Sequence, residues 1–403
     1  MQHFLYLPED NDFLAAQWLR ECPHGDTVRL IHAPGTEAHA DALRRVFPAI
    51  VRTDSLDNLQ EETLESPDTD AARVTLPLTP DEFPLRYQFP VRVPDYRAQL
   101  PLLRDLWRLG FREMEIYHAG GSRVLRLPHM PHEFEGCHAG RRCFIVGNGP
   151  SLNDLDMSKL AGEIVFTANR GYLGFEHWGF TPPYWGVYDP LQIEQYGTEY
   201  EKHVPDSCIK FFPFQYWAHL RVRNGCPLSL DWPRSASREF STCPDRLCVG
   251  YSVVYMLLQV AAMMGCNPII LVGLDHRYQL KKRNGLMRRI RLVGRWTACK
   301  YDDRAWYRCA EAAWREYFKL RGKRMTVPAS RLWNAGDAGA ATHFDAAYTA
   351  ERKQFLMPRP QDAEADYRCA RAWAAAHGLE ILNATPGSAL DVFSMVPFDS
   401  LFQ

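Results

Sequence analysis

The residues of this chain best suited to chemistry begin in a glycine-rich turn. Residues 147–151, Gly-Asn-Gly-Pro-Ser, follow the short apolar run 143–146. Small residues after a strand let backbone N–H groups approach an anion, and a following helix adds the dipole of its N-terminus. The segment lacks the Lys-Ser/Thr of a P-loop and the third glycine of a dinucleotide fingerprint. It is therefore either an anion-binding turn or only a turn followed by a helix cap at Ser151.

Further polar residues stand where other apolar runs end: Asn169, Asp189 and Asp275. Each of them alone is also common as a turn former or helix cap. Because parallel strands present their carboxyl ends at one edge of a sheet, where ligands bind, we expect these residues and Asn148 to line one crevice. Such a crevice could hold the sugar and base of a nucleotide.

Four residues could take part in a group transfer. Arg246 precedes an apolar helix and could hold a carboxylate or phosphate, although it could equally be a surface arginine. Arg277 and Tyr278 could donate hydrogen bonds to a leaving phosphate without a metal, or be exposed turn residues. His343 lies in a Gly/Ala-rich loop and could act as a general base. The chain has 14 histidines, so chance placement is the alternative for His343.

Metal ligands have weak support in the sequence. The candidates are the Asp-x-Asp segments at residues 68–70, in an acidic N-terminal loop, and at residues 154–156, in the first turn of a predicted helix. Neither ends an apolar strand. The 11 cysteines form no C-x-x-C and no Cys/His spacing suited to zinc. We therefore predict reduced, buried thiols and chemistry without a metal or other cofactor.

Short apolar strands alternate with helices, including predicted helices over 152–160 and 249–264. This alternation predicts an α/β fold with a mostly parallel, Rossmann-like sheet covered by helices on both faces. With 403 residues the chain is long enough for two or three domains. We predict a larger domain at 140–403, which contains the crevice, and a smaller α/β domain of unknown role at 1–135.

Composition excludes other classes of protein. A formal net charge of −1 argues against a nucleic-acid partner, because phosphate neutralisation needs a basic excess. Polar residues and Gly-Cys-Asn-Pro interrupt the apolar stretch 247–274, so we expect a buried helix and strand rather than a membrane span. The N-terminus lacks a signal-peptide pattern, which predicts a cytoplasmic protein. Seven cations within 281–295 indicate a solvated loop, or a patch that contacts an anionic acceptor or a membrane surface.

An ordered set of motifs spans residues 140–403. The chain resembles the bacterial sialyltransferases of glycosyltransferase family 42, and the broader group of bacterial glycosylation proteins that share a pterin-diphosphokinase-like domain. The residues that carry this resemblance are 144–152 (Phe-Ile-Val-Gly-Asn-Gly-Pro-Ser-Leu), Asn169, Arg246 with Gly250, 271–275 (Leu-Val-Gly-Leu-Asp), His343-Phe344 and 383–387 (Asn-Ala-Thr-Pro-Gly).

The resemblance implies that residues 140–403 form a catalytic nucleotide-sugar-binding domain whose fold is a variant of the GT-A type. It implies metal-independent, inverting transfer of an acidic sugar from a CMP donor to a hydroxyl of a glycan or glycolipid in polysaccharide biosynthesis. It implies that Gly147, Asn148, Gly149 and Ser151 contact the phosphate and ribose of CMP, and that Asn169 lies beside the donor. Asp189, Gly250 and Asp275 complete the predicted nucleotide and donor contacts. It also implies that His343 is the base, that Arg277 and Tyr278 hold the leaving phosphate, and that Arg246 holds the sugar carboxylate.

The chain departs from the family pattern at several positions. Cys248-Val249 stands where a Ser/Thr is expected, Asp189 replaces an asparagine near the cytidine, and His276 and Arg277 replace aromatic residues. The donor sugar could therefore be sialic acid, another nonulosonate or the eight-carbon Kdo.

Two other functions remain open. The chain could be an ATP-dependent pterin diphosphokinase, although that chemistry needs Mg²⁺ on carboxylates and no Asp-x-Asp ends a strand. It could also be a non-catalytic scaffold that binds nucleotide sugars, with residues 1–135 as the partner module. Peripheral contact with the inner face of the inner membrane through 281–295 is an alternative to a freely cytoplasmic protein.

Overall fold

The fold is taken from a computed structural model. It describes residues 2–7, 12–55, 73–77, 100–118, 121–217, 220, 222–231, 238–277, 332–333, 343–345, 347–350, 355–356 and 359–403. Tyr278, the Asp-x-Asp at 68–70 and the basic segment 281–295 lie outside these residues, so their predicted roles remain predictions.

The N-terminal part contains a six-stranded sheet with the strand order β3-β2-β1-β4-β5-β6. It is parallel except for the antiparallel edge strand β6. Its strands are β1 Gln2–Leu7, β2 Thr27–His32, β3 Ile50–Ser55, β4 Arg73–Pro77, β5 Glu113–His118 and β6 Gly121–Arg126. Its helices are α1 Asp12–Glu21, α2 Glu37–Val46 and α3 Leu100–Arg108. Strands and helices therefore alternate here as the sequence predicts.

The second sheet has eight parallel strands in the order β11-β10-β9-β8-β7-β14-β17-β18. Its strands are β7 Cys143–Val146, β8 Ile164–Ala168, β9 Tyr184–Gly186, β10 Ile209–Pro213, β11 Gly225–Leu228, β14 Ile269–Val272, β17 Ile381–Asn383 and β18 Ser394–Met395. Two small ladders pair β12 Leu230–Asp231 with β13 Leu247–Cys248, and β15 Leu332–Trp333 with β16 Phe355–Leu356. The helices of this part are α4 Phe175–Trp178, α5 Pro190–His203, α6 Val253–Met263, α7 Ala347–Ala350 and α8 Pro360–Ala376.

Both faces of the second sheet are buried, which explains the continuous apolar runs of its strands. In β7, Phe144 and Val146 pack into one hydrophobic core, while Cys143 and Ile145 pack into another. The second core contains α6, which is buried along almost its whole length. Alternate residues of a strand point to opposite faces, so helices must cover each side. The predicted α/β fold with a mostly parallel, Rossmann-like sheet is confirmed.

The strand order reverses between β7 and β14. Strands β8 to β11 follow β7 in sequence and lie on one side of it, whereas β14, β17 and β18 lie on the other side. In open parallel sheets this reversal opens a crevice beyond the carboxyl ends of the two central strands. The segments that leave β7 and β14 here are residues 147–149 and 273–275.

Two predicted helices differ from the structure. The helix expected over 152–160 is a pair of short 3₁₀ turns, Pro150–Asp154 and Met157–Leu160. Asp156 accepts a hydrogen bond from the amide of Ser158, and such local side-chain bonds compete with a regular α-helix. The helix expected over 249–264 begins later, at Val253, after the short strand Leu247–Cys248, and the buried strand β14 follows it as predicted. In the described part of the chain no helix combines the length and the apolar character needed to cross a bilayer.

Candidate functional site

The glycine turn after β7 is bonded to the segment after β14. The amide of Gly147 donates to the carbonyl oxygen of Val272 at 2.7 Å, and the amide of Gly149 donates to that of Gly273 at 2.9 Å. The Asp275 carboxylate accepts from the Ser151 amide at 3.2 Å and from the Ser151 hydroxyl at 2.7 Å. The turn and Asp275 are therefore brought together, and three amides expected to face an anion donate within the chain.

The close approach of these segments explains both glycines of the turn. A Cβ at position 147 would lie 2.5 Å from the carbonyl oxygen of Gly273. A Cβ at position 149 would lie 1.7 Å from Oδ2 of Asp275. Neither glycine has a positive φ that calls for it, so close packing rather than backbone conformation requires them.

The ends of β7 and β8 carry three buried oxygen atoms without a hydrogen-bond partner in the described part of the chain. They are Oδ1 of Asn148, Oγ1 of Thr167 and Oδ1 of Asn169. The amide nitrogen of Asn148 donates to the carbonyl oxygen of Ala168 at 3.1 Å, which leaves its oxygen as the open acceptor. Buried polar atoms normally have partners, so each of these oxygens is open to a hydrogen bond from a bound molecule or water. Thr167 was missed by sequence reasoning, and its only signal is a hydroxyl at the end of an apolar strand.

His343 lies beside the glycine turn although the two are far apart in sequence. The amide of Phe344 donates to the carbonyl oxygen of Asn148 at 3.1 Å. The side-chain amide of Asn153 donates to the carbonyl oxygen of Phe344 at 2.9 Å. The imidazole ring stacks on the ring of Tyr348, with centroids 3.9 Å apart and planes 11° from parallel. These contacts bring His343 to the β7 end of the crevice.

Asn169 and Asp189 follow neighbouring strands and shape the chain there. Asn169 has a left-handed backbone with φ of 52°, and its carbonyl oxygen accepts from the Trp185 indole at 2.8 Å. Asp189 caps helix α5, and its Oδ1 accepts from the amide of Leu191 at 2.8 Å. Helix capping is the alternative role predicted for Asp189. The cap places the Asp189 carboxylate just beyond the carboxyl end of β9.

Gly250 is held between two groups that sequence reasoning did not connect to it. Its carbonyl oxygen accepts from the hydroxyl of Tyr188 at 2.8 Å. The next amide, that of Tyr251, donates to Oδ2 of Asp366 at 2.7 Å. Asp366 is 3% exposed, forms an ion pair with Arg238, and has its pKa raised by burial. Asp366 therefore fixes the backbone at Gly250 from helix α8.

The two predicted arginines point to other partners. The guanidinium of Arg246 donates to Asp231 at 3.0 Å and forms a second ion pair with Glu239. Nη2 of Arg277 donates to the carbonyl oxygen of Gly387 at 2.6 Å, and this side chain is exposed. Neither contact is with the glycine turn, so the structure does not gather these two cations there. Arg277 still follows Asp275 closely along the chain.

A divalent metal has few ligands to use at this site. In the described residues no group of three or more His, Cys, Asp or Glu side chains could hold a metal ion. Asp275 is the carboxylate at the crevice, and both of its oxygens already accept hydrogen bonds from Ser151. This donor set fits Mg²⁺ poorly, and the sugar transfer proposed for this site uses no metal.

Residues 123–281 match the family model described as MptE-like, 6-hydroxymethylpterin diphosphokinase MptE-like. The match starts in β6, includes every strand from β7 to β14, and contains both segments that meet at the reversal of strand order. The predicted relation to proteins with a pterin-diphosphokinase-like domain is confirmed over this region. The resemblance to glycosyltransferase family 42 stays a prediction.

Comparison with known proteins adds one distant structure. No curated protein matches the chain. The MAf glycosyltransferase from Magnetospirillum magneticum AMB-1 is similar over 99% of this chain and 58% of its own, with 11% sequence identity and a TM-score of 0.35. The chain thus spans little more than half the length of that protein. At this TM-score the likeness carries no argument about activity.

Proposed function

We propose that the chain is a metal-independent, inverting glycosyltransferase that moves an acidic sugar from its CMP donor to a hydroxyl of a surface glycan. The observation that carries this proposal is the meeting of the glycine turn, Asp275 and His343 where the strand order reverses. A histidine beside the donor crevice is suited to take the proton of an attacking hydroxyl. The donor and acceptor classes come from the resemblance to family 42.

The crevice floor indicates how the donor would lie. The open atoms of Asn148 and Asn169 are amide oxygens, which only accept hydrogen bonds, as does the carboxylate of Asp275, and the Thr167 hydroxyl can accept as well as donate. Ribose hydroxyls and the amino group of cytosine are hydrogen-bond donors and suit this floor. A phosphate offers only acceptors at neutral pH and does not. We therefore orient the nucleoside inward and the phosphate outward, towards Arg277.

In the proposed reaction, His343 removes the proton of the acceptor hydroxyl as the oxygen attacks the anomeric carbon. The bond from that carbon to the CMP phosphate breaks on the opposite side, and CMP leaves with the bonding electrons. Hydrogen bonds donated by Arg277 and Tyr278 would stabilise the negative charge that develops on the phosphate. Losing a general base typically lowers a rate by about 10²–10⁴-fold.

The test measures CMP release from CMP-activated acidic sugars with glycan acceptors, for the wild-type protein and His343→Ala. We expect His343→Ala to lose about 10²–10⁴-fold in kcat while its Kd for CMP stays within about twofold. His177→Ala, which changes an exposed histidine on α4, is the control and should keep wild-type turnover. Full turnover in His343→Ala would remove this residue from the role of base. Binding of CMP without transfer to any acceptor would favour the scaffold function.

The family match over 123–281 favours a second candidate, an ATP-dependent pterin diphosphokinase. Incubation with ATP and 6-hydroxymethylpterin, followed for AMP release with and without EDTA, separates the two. AMP release that EDTA abolishes would support the diphosphokinase. CMP release that continues in EDTA would support the glycosyltransferase.

A further inference from the structure

A buried cation next to the crevice has no role in the function proposed above. Arg170 follows Asn169 at the end of β8, and the whole residue is 3% exposed. Burying a charge is costly unless it is paired and hydrogen-bonded. The contacts of Arg170 therefore show what the fold gains from placing a guanidinium there.

One half of the guanidinium serves the core. Nη2 of Arg170 donates to the carboxylate of Glu199 on α5 at 3.0 Å, and Nε donates to the hydroxyl of Tyr172 at 3.2 Å. Tyr172 donates to the same carboxylate at 2.5 Å. The guanidinium also lies over the ring of Tyr196, 4.5 Å from its centroid. Burial alone would lower the pKa of Arg170, but the bond to Tyr172 and the charge of Glu199 raise it, so the cation persists.

The other half of the guanidinium holds the segment that follows His343. Nη1 of Arg170 donates to the carbonyl oxygen of Ala347 at 2.6 Å and to that of Tyr348 at 2.9 Å. Tyr348 is 2% exposed and carries the ring on which the His343 imidazole stacks. At the other end of this segment the Phe344 amide is bonded to the glycine turn. The short stretch from 343 to 348 is thus fixed at both ends, to β7 through Asn148 and to β8 through Arg170.

We propose that Arg170 is a positioning residue that sets the orientation of His343 by holding the backbone beneath the Tyr348 ring. This inference rests on the proposed function only in taking His343 to be the base of the reaction. A lysine has one ammonium and no planar fork, so it cannot reproduce both halves of these contacts. The effect on chemistry passes through the histidine, and Arg170 itself touches no substrate.

The first experiment compares Arg170→Gln, Arg170→Lys and Glu199→Gln for kcat, KM and the pH profile of kcat. Glu199→Gln is the matched control, because it removes the ion pair in the core but leaves both carbonyl bonds of Arg170. We expect Arg170→Gln to lower kcat about 10–100-fold with KM for the donor within about threefold. In the pH profile of kcat, the decline towards low pH that reports protonation of His343 should flatten in Arg170→Gln. This decline should recover in part in Arg170→Lys and remain in Glu199→Gln. Wild-type kcat and pH profile in Arg170→Gln, or the same loss in Glu199→Gln, would overturn the proposal.

The second experiment needs no turnover and separates this inference from the proposed reaction. Amide hydrogen exchange and the NMR shift of the His343 ring are measured for the same three variants. In Arg170→Gln we expect exchange at 344–348 to rise at least about tenfold, with loss of the ring-current shift that Tyr348 imposes on His343. Unchanged exchange and an unchanged shift would overturn the proposal that Arg170 holds the backbone at residues 347 and 348, whatever reaction the protein catalyses. If these changes are seen but no transfer occurs with any donor, the proposed function fails. The structural role of Arg170 in orienting His343 is then still supported.

Discussion

Gly149→Ala tests whether Asp275 is locked against the glycine turn. A Cβ at 149 would lie 1.7 Å from Oδ2 of Asp275 and 2.7 Å from the carbonyl oxygen of Gly273, so the carboxylate must leave. Its departure breaks both hydrogen bonds from Ser151. At this half-buried carboxylate the two bonds, one of them long at 3.2 Å, contribute about 1–2 kcal/mol each, and the forced contact adds about 1 kcal/mol. We expect the free energy of unfolding to fall by about 3–5 kcal/mol.

A double-mutant cycle isolates the contact between the two residues. Asp275→Ala removes the same two hydrogen bonds without moving the backbone and should cost about 2–4 kcal/mol. In that background the new Cβ meets only the Gly273 carbonyl, so Gly149→Ala should cost about 1–2 kcal/mol. The coupling energy between the two positions should therefore be about 2 kcal/mol.

Urea unfolding of the four proteins measures these free energies, and amide exchange over residues 143–152 gives the local value if the two sheets unfold separately. Gly162→Ala is the control. Gly162 has φ of 85° and open space around its Cβ position, so its cost of about 1–2 kcal/mol comes from backbone strain and should not depend on Asp275. Additive costs for Gly149→Ala and Asp275→Ala would refute the account of this turn.

Three further variants or reactions test other parts of the structure. Lys210→Met should lower the free energy of unfolding by about 2–3 kcal/mol in a urea titration, because the buried ammonium donates to three backbone carbonyls; an increase would mean that burying the charge costs more than those bonds return. Burial raises the pKa of Cys208 and Cys248 to about 11, so at pH 8 iodoacetamide should label exposed Cys243 first, and mass spectrometry should find the two buried thiols unlabelled in the folded protein. Arg246→Ala should change the Kd for CMP less than about threefold, because its guanidinium is already paired with two carboxylates, and a loss above tenfold by calorimetry would return it to the site.

The central strands could be predicted almost to the residue. The run 143–146 is strand β7 without any shift, and Asn169 and Asp275 follow β8 and β14, as their places after apolar runs predict. These strands are apolar throughout because both faces are buried, and glycine or asparagine ends them. Their alternation with helices was sufficient to predict the parallel sheet.

Strands β10 and β11 were missed for a physical reason. A charged lysine is the second residue of β10, yet Lys210 is 1% exposed. Its ammonium is satisfied by carbonyl groups from segments before and after the strand, including that of Arg223. In β11 a proline interrupts the strand signal. Single-sequence patterns carry no information about such distant partners, so this part of the sheet could be found only in three dimensions.

The site was predicted in its parts better than in its connections. Asn148, Asn169 and Asp275 stand at strand ends as expected, and His343 could be linked to them only through the family resemblance. Thr167 and Arg170 gave no usable signal, because a threonine in a strand and an arginine in a turn are ordinary. Their importance follows from the burial of both side chains, which cannot be read from the sequence.

The polarity of the crevice is the main point at which sequence reasoning and structure diverge. A glycine turn before a helix suggests amide donors and a bound anion, but the amide of Ser151 is already bonded to a carboxylate of the chain itself. Two negative charges about 4 Å apart repel by about 4 kcal/mol at an effective dielectric constant of 20. A phosphate at this turn would have to displace Asp275 or bear that repulsion. With the nucleoside inward the same carboxylate becomes an acceptor for hydroxyl groups, and the repulsion disappears. For the proposed function, the charge of Asp275 therefore favours the nucleoside over the phosphate at this turn.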